Sequence, residues 1–447
     1  MKEFIHNAKR LLLLAVPIML GSAGQNVIAL TDSLFLYGYD EKDFAAVGFV
    51  SVFYLVISSI AYGFSKGGQI IIARKYGERS PTAVKKYFYA ILFFELVVGL
   101  FIFIILKFFS ADILSLFVKS EVILQKSLEF IEYRIYGLVF AYVGLAFLSL
   151  YMGIGRPKII LIDTVFLGMT NILLCYLLVY GKAGFPEMGI AGAGLASSLA
   201  EIAAFVFFLV YILLDKDLKP FDLFSIPHIE PAELRNIYKL SLPILMQSVI
   251  GIASWFIFFS FIEKLGERAL AISNLLRVVY LIFTIPCWGF AAAINTMVSK
   301  TIGRKREQRV LKQVYHSSLI SLAVTTIVSF PFLIFAQTLM YPFLGGGDTA
   351  LFQESLPYFK ILFAILIVAS FSNIFFNGVS GAGETSKGLN IQIIGSLLYL
   401  GITWVAILYP ETLGLKWAWY GEIVYWLSQC LLSWWVLKSG KWYFIKF

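Results

Sequence analysis

Charge is scarce in this sequence. Asp, Glu, Lys and Arg make up 14% of its 447 residues, against roughly a quarter in an ordinary soluble domain. Histidine and cysteine occur three times each. Cys175, Cys287 and Cys430 stand far apart inside apolar runs, which leaves no disulfide framework and no spacing for a zinc site. His6, His228 and His316 fall in connectors or at the edges of apolar runs, so no histidine cluster can serve catalysis or metal binding. The short connectors that alternate with these also lack paired carboxylates, which argues against a membrane-embedded glycosyltransferase. Nothing has the form of a selectivity filter, which argues against a channel.

What takes the place of charge is hydrocarbon. Sixty per cent of the residues are hydrophobic, more than a soluble interior of this length can hide, so lipid must be the solvent for most of the chain. Apolar runs fall at roughly 11–37, 44–73, 84–108, 130–152, 159–181 and 189–214, then at 236–262, 269–299, 313–340, 356–380, 389–409 and 417–437. Each is long enough for the about 20 residues that a helix needs to cross a bilayer. The expected fold is therefore an all-α polytopic membrane protein of twelve transmembrane helices. The first run is too long for a signal h-region and has no small-residue cleavage site, so no cleavable signal peptide is expected. Trp417, Trp419, Trp434, Trp435 and Trp442 fall near span ends, where indole rings favour the headgroup region.

The net charge of +9 is distributed one-sidedly. With the N-terminus in the cytoplasm, cytoplasmic segments hold 24 Lys and Arg and the outer connectors hold 8. This bias is the positive-inside pattern and puts both termini inside. The basic stretches at 74–86 and 300–312 are thus topology determinants, and no nucleic-acid partner is expected.

The chain repeats itself. A displacement of 226 residues superimposes Pro17 on Pro243, Ser22 on Ser248, Glu41 on Glu267, Gly63-Phe64 on Gly289-Phe290 and Gly77 on Gly303. A displacement of 228 pairs Gly153-Ile154-Gly155 with Gly381-Ala382-Gly383. Six spans per repeat is even, so the halves share one orientation and are related by an axis along the membrane normal. The expected organisation is an N-lobe over 1–214, a cytoplasmic linker over 215–235 and a C-lobe over 236–447, with the lobes rocking about a central site.

Several stretches resemble the multidrug and toxic compound extrusion (MATE) family. Ala15-Val-Pro-Ile-Met19, then Gln25 and Leu30-Thr-Asp-Ser-Leu-Phe35, is similar to the first helix of that family. Gly63-Phe64 with Gln69 and Ala73-Arg-Lys-Tyr-Gly77 resembles the end of the second. Gly153-Ile-Gly-Arg-Pro-Lys158 and Gly381-Ala-Gly-Glu-Thr385 resemble the loops after helices 4 and 10. Gly189-Ile-Ala-Gly-Ala-Gly-Leu-Ala-Ser197 and Leu413-Gly-Leu-Lys-Trp-Ala-Trp-Tyr-Gly421 resemble the starts of helices 6 and 12. The likeness runs along essentially the whole chain. The loop signature of the major facilitator superfamily between helices 2 and 3 is absent.

A charge deep in a span costs about 2.5–3.5 kcal/mol on insertion scales and is a functional candidate by default. Asp32 leads. It lies late in the first span with no charged neighbour before Asp40, and Gln25 is seven residues back on the same helical face. A carboxyl there can accept a proton on one side and release it on the other, or hold a sodium ion; near the outer interface it would simply reach water. Asn171 and Cys175 are i,i+4, as are Ser197 and Glu201, so each pair shares a face. The resemblance implies that Asp32 couples ion and substrate, and that Asn171 and Ser197 belong to an N-lobe cavity. Cys175 stands where many members have a second aspartate, and Glu201 can supply that carboxylate. It can also be paired to Lys66 or another helix cation. Arg134 is read as paired locally with Glu129 or Glu132.

The second half has no acid in Ser248–Phe259 or Ala364–Asn377, where sodium-coupled members carry one. Gln247, Ser248, Trp255, Asn373 and Asn377 are the expected cavity residues there, and Arg277 either faces the cavity or neutralises a helix end. Asp163 and Glu422 are read as structural pairs or end anchors. Pro17, Pro243 and Pro286 each remove a backbone hydrogen bond and can bend a span, with Pro17 and Pro243 as the expected hinges.

Together these readings predict a secondary antiporter of the bacterial inner membrane, active as a monomer, with no cofactor and no bound metal. It would export small amphipathic, cationic compounds in exchange for protons or sodium through an N-lobe carboxylate. A lipid-linked oligosaccharide flippase of the same superfamily is the alternative, kept open by Arg277 and Lys66.

Overall fold

The computed structural model describes residues 2–340 and 349–444, excepting the side chains of 2–3, 6, 25–27, 29–30, 41, 336–340, 349 and 444. A backbone in hydrocarbon must satisfy its polar groups within its own segment, which leaves the helix as the solution for each apolar run. The helices are α1 (Lys2–Tyr37), α2 (Glu41–Gly77), α3 (Pro81–Ser115), α4 (Glu121–Ile154), α5 (Lys158–Val179), α6 (Gly189–Leu214), α7 (Pro231–Glu263), α8 (Glu267–Phe283), α9 (Ile285–Gly303), α10 (Val310–Met340), α11 (Thr349–Gly381), α12 (Thr385–Leu408) and α13 (Gly414–Lys438). There is no strand among the described residues.

Helices α2–α7 and α10–α12 are each long and apolar enough to cross a membrane, and α8 with α9 forms one crossing bent by 44°. With α1 and α13 the fold is an all-α membrane bundle of twelve spans. The bend lies within the apolar run over 269–299, beside the proline read from the sequence as able to kink it. It falls at Thr284, just before Pro286 in the first turn of α9, where the missing proline N–H leaves no helical bond to continue. Pro17 and Pro243 behave differently: α1 and α7 run through them unbroken. Two of the expected interfacial tryptophans are interior. Trp419 donates to Ser273 Oγ at 3.1 Å and Trp442 to the Leu437 carbonyl at 3.0 Å, and both rings are buried. Trp417, Trp434 and Trp435 are exposed, as expected.

The repeat is visible in the backbone. Arg79 and Lys305 both take left-handed conformations (φ 59° and 55°), each just past the end of a helix. Gly155 and Gly383 do the same after α4 and α11, with φ 84° and 91°. Glycine suits the latter pair because a left-handed residue closes a helix C-terminus without a Cβ penalty.

The chain forms two compact units, Leu20–Leu245 and Met1–Met19 with Met246–Phe447. The division falls two residues after Pro17 and two after Pro243, the equivalent point of each repeat. Consequently α1 and α7 each contribute to both units. In the first unit α4 is central, packing against α2, α3 and α6, while α5 packs on α6. Its core includes Leu36, Val50, Ile57, Ile131, Leu138 and Leu178. In the second unit α11 holds that place, packing against α9, α10 and α13.

The segment between the repeats is fastened to the first unit. Lys85 pairs with Asp222 at 2.9 Å, Lys86 with Glu230 at 2.8 Å, and Arg156 with Asp215 at 2.6 Å. Ser225 and Lys85 hold the Asp222 carboxyl below its ordinary range, and Lys86 does the same for Glu230. The first half of α7 continues that attachment. Asn236 Nδ2 donates to Tyr87 Oη at 3.0 Å, and Ser241 Oγ to the Phe64 carbonyl at 3.2 Å. Gly67 permits this approach: a Cβ there would stand 2.0 Å from Ser241 Oγ and 3.0 Å from Ser241 Cα.

Gly67→Ala should therefore destabilise the protein by about 1–3 kcal/mol, the usual cost of overpacking, read as a lower thermal midpoint in detergent. Ser241→Gly in the same chain should restore part of the loss. If the two substitutions are simply additive, this contact does not limit how closely α2 and α7 pack.

Candidate functional site

The polar groups of the first unit converge where α1, α4, α5 and α6 bring side chains together. Asp32, half-buried near the end of α1, accepts a hydrogen bond from Cys175 Sγ of α5 at 3.3 Å. Asn171, one turn before Cys175, also reaches the Asp32 carboxyl and donates through Nδ2 to Ser197 Oγ of α6 at 3.1 Å. One helical turn beyond Ser197, Glu201 lies on the same face of α6. The two i,i+4 pairs read from the sequence thus join across α5 and α6 and meet Asp32.

Glu201 is held by Arg134 of α4. Arg134 Nη1 donates to Glu201 Oε2 at 2.6 Å and Nη2 donates to Oε1, a bidentate pair whose side chains are 11% and 13% exposed. The guanidinium also lies over the ring of Tyr54 of α2, 4.1 Å from its centroid, within cation–π range. The expected local partners of Arg134 are thereby corrected. Glu132 is two residues away and on another face of the helix, and Glu129 pairs instead with Lys126. Close backbone packing makes the α4–α6 pair possible. A Cβ at Gly137 would come within 2.6 Å of Ser198 Cα and 2.5 Å of Glu201 Oε2. Ser198 Oγ locks the approach, accepting from Gly137 N at 3.0 Å and donating to the Tyr133 carbonyl at 2.6 Å.

Among the described residues the site therefore holds two acids and one cation. Arg134 neutralises Glu201, while Asp32 has neutral groups beside it, the Cys175 thiol that donates to it and the Asn171 amide. Its ionisation decides whether the cluster is charged or neutral. Gln25 lies outside the described residues as a side chain.

The residues predicted in the second half do not form one such cluster. Gln247 donates to the Thr385 carbonyl at 2.9 Å, tying α7 to the first residue of α12. Asn377 Nδ2 donates to Asn373 Oδ1 at 2.8 Å and to its carbonyl at 2.9 Å, so the two asparagines bond along α11. Ser248 is half-buried on α7. Trp255 and Arg277 are connected through aromatic packing. Arg277, exposed on α8, lies 5.2 Å over the Phe259 ring, whose centroid is 5.7 Å from that of Trp255. Trp255 Nε1 donates to Glu422 Oε1 of α13 at 2.9 Å.

Glu422 and Arg134 are the residues that sequence reasoning undervalued. Glu422 is 3% exposed, and no cation pairs with it among the described residues. It is an interior carboxyl and not an end anchor. Its place sixteen residues before the basic end of α13, at Lys438, is the signal that could have marked it.

Breaking the Arg134–Glu201 pair from one side should be expensive. Arg134→Met should cost about 3–5 kcal/mol, because Glu201 would keep its charge in a dry site. Arg134→Met with Glu201→Leu should cost less than Arg134→Met alone. Unfolding in detergent measures both, and a double variant less stable than either single one would mean that the pair is not the energetic unit.

Comparisons with known proteins agree with this architecture. The MatE family model matches residues 17–177 and again 243–405, two stretches that open on Pro17 and Pro243. A probable multidrug resistance protein NorM of Thermotoga maritima is 23% identical over 436 residues, spanning 97% of this chain and 93% of that protein. A probable multidrug resistance protein YpnP of Bacillus subtilis is 26% identical over 419 residues, 93% of this chain and 89% of its own length. Among solved structures, an outward-facing MATE multidrug resistance transporter of the MOP superfamily matches with a TM-score of 0.87, covering 97% of this chain and 95% of that one at 19% identity. A MATE crystallised in a bent conformation matches with a TM-score of 0.84 at 21% identity, covering 97% and 95%. With two family matches that together span most of its length, this chain belongs to the MatE family of multi-pass membrane transporters.

Proposed function

We propose that this protein is an antiporter that exports small amphipathic organic cations in exchange for protons, with Asp32 as the coupling group. The observation that carries the reading is the unequal treatment of the two acids. Glu201 is neutralised by a bidentate arginine, whereas Asp32 is bonded by the Cys175 thiol. A thiol is a weak donor that leaves the carboxyl free to change its charge. With Asp32 ionised the three groups sum to one negative charge, which attracts an organic cation. With Asp32 protonated they sum to zero, and the cation is released. One carboxyl thus alternates between ion and substrate, as an exchange mechanism requires. Sodium would serve in place of the proton if Asn171, Ser197 and Gln25 supplied neutral oxygen ligands beside Asp32.

In this scheme Asn171, Ser197 and Cys175 orient the Asp32 carboxyl. Arg134 and Glu201 fix α4 against α6 around it. Trp255, Ser248, Arg277, Gln247, Asn373 and Asn377 form the second half's contribution to substrate handling, with Trp255 the apolar contact. The excess of Lys and Arg in alternate connectors supports a cytoplasmic location for both termini in a bacterial inner membrane. The protein would work as a monomer, since each chain carries both halves.

Efflux of a cationic dye such as ethidium from proteoliposomes tests the reading. Wild type should move dye when a proton gradient is imposed, and Asp32→Asn should reduce that rate by about tenfold or more, as expected for the loss of an interaction essential to turnover. A response to sodium alone would replace the proton as the coupling ion. Wild type that moves no dye under either gradient would sink the antiporter, and lipid-linked sugars would be the next substrates to assay.

A further inference from the structure

Arg277 stands ten residues beyond Glu267, the first residue of α8, and its side chain is exposed. Lipid solvates a guanidinium poorly, so an exposed one at that depth in a span lies on a surface that water reaches. Among the described residues it enters no ion pair, and what it touches is aromatic. The guanidinium lies 5.2 Å over the ring of Phe259 of α7, within cation–π range. The Phe259 ring is 5.7 Å from that of Trp255, one turn earlier on the same face of α7, and Trp255 is 5.5 Å from Tyr280 of α8. Phe259 thus meets Arg277 while Trp255 meets Tyr280, so the two helices share these rings along one antiparallel contact.

The shelf of rings is backed by an acid. Trp255 Nε1 donates to Glu422 Oε1 of α13 at 2.9 Å, and Glu422 is 3% exposed. The hydroxyl of Tyr399 and the indole N–H of Trp426 also face that carboxyl. These donors are neutral, so among the described residues no positive charge touches the carboxylate. An uncompensated buried charge is costly, and a cation on the neighbouring rings offsets part of that cost. A carboxylate that accepts from the indole N–H also polarises the ring and strengthens the attraction of its face for a cation. In this structure the guanidinium of Arg277 supplies the cation. Phe259 and Trp255 are only half-buried, which leaves part of the shelf open.

We propose that the rings of Phe259 and Trp255, backed by Glu422, bind a planar organic cation in the second unit, and that Arg277 is a built-in occupant which the substrate displaces. The inference rests on the export reading above and adds a substrate class to it. Phenanthridinium, aryl amidinium and aryl guanidinium compounds spread their charge over a flat group, as arginine does, and such weakly hydrated cations stack well on aromatic faces. The arginine stem is long and its head exposed, so the guanidinium can swing off the ring into water while α8 stays in place. A built-in competitor also assists release, because the guanidinium returns to the ring as the substrate leaves. The competition has a sign. Removing Arg277 improves the binding of a cation, whereas a residue that recognises an anionic lipid-linked sugar gives no such gain when it is lost.

Equilibrium binding of ethidium to the full chain in detergent, followed by dye anisotropy, tests this. Arg277→Gln should bind ethidium about three- to tenfold more tightly than wild type. Arg277→Lys should fall between the two, since an ammonium is more strongly hydrated and competes less well for the ring. Trp255→Leu and Glu422→Gln should each bind about tenfold more weakly. The arginine variant changes an exposed side chain, so it decides the question even where a buried substitution prevents folding. Equal or weaker binding by Arg277→Gln overturns the proposal, and so does unchanged binding by Trp255→Leu or Glu422→Gln. Wild type that neither binds ethidium nor moves it under a gradient removes the export reading and this inference with it. Wild type that moves ethidium, with variants that bind it equally well, removes this inference alone.

Discussion

The bidentate contact between Arg134 and Glu201 governs the chemistry of the first unit. A guanidinium and a carboxylate brought out of water each lose solvation worth several kcal/mol, and only near-ideal geometry repays the loss. That geometry depends on features without charge. Gly137 lets α4 approach α6 until a side chain at that position would overlap Ser198. The Ser198 hydroxyl then bridges the two backbones, and Tyr54 covers the guanidinium face from α2. Once this pair is made, the unit's other polar groups acquire definite roles. Glu201 is engaged by Arg134, and Asp32 is left with neutral donors beside it. A charge change at Asp32 is then a change in the charge of the whole cluster.

The second unit answers the same physical problem differently. Its interior carboxyl, Glu422, has an indole donor from Trp255 where Glu201 has an arginine. Rings of Tyr280 and Phe259 pack around that indole. A duplicated architecture has thus kept its helix ends and lost symmetry in its chemistry. The left-handed residues Arg79 and Lys305, and Gly155 and Gly383, still end equivalent helices. The acids do not occupy equivalent positions. Backbone geometry is fixed by needs common to both halves, namely ending a helix at the membrane edge with its carbonyls satisfied. Side-chain chemistry is under no such common constraint, so the two halves are free to differ in it.

This difference explains what could be read in advance. The number of crossings, the repeat and its punctuation by proline and glycine follow from composition and spacing, because lipid imposes one rule on every span. The i,i+4 pairs Asn171/Cys175 and Ser197/Glu201 were legible for the same reason, since helical periodicity alone places each on one face. Contacts across helices were not. Arg134 and Glu201 are 67 residues apart, and no local pattern joins them, although the faces of α4 already exclude Glu132 as a partner. Nor could the sequence distinguish Pro286, where the helix breaks, from Pro17 and Pro243, where it does not. Proline removes one bond in each case, and whether the chain bends depends on the packing around it. The buried state of Trp419 and Trp442 belongs to the same class, because proximity to a span end says nothing of which way a ring turns.

The division of the chain gives the position of Asp32 its mechanical meaning. Residues up to Met19 belong to one unit and residues from Leu20 to the other, yet α1 is a single helix from Lys2 to Tyr37. Asp32, the proposed coupling carboxyl, is carried on the second part of that helix, beyond Pro17. A helix transmits displacement along its axis far better than a loop does, because moving one residue without its neighbours breaks several backbone hydrogen bonds at once. In the proposed scheme a change of charge at Asp32 would alter how the second part of α1 is held beside Cys175 of α5, and the continuous helix would carry that change toward its first part. Pro17 weakens that transmission by the loss of a single bond. α7 repeats the arrangement with Pro243, but carries no acid between there and Glu263. Of the two helices that contribute to both units, α1 carries the proposed coupling acid beyond its proline, and α7 has no acid at the equivalent place.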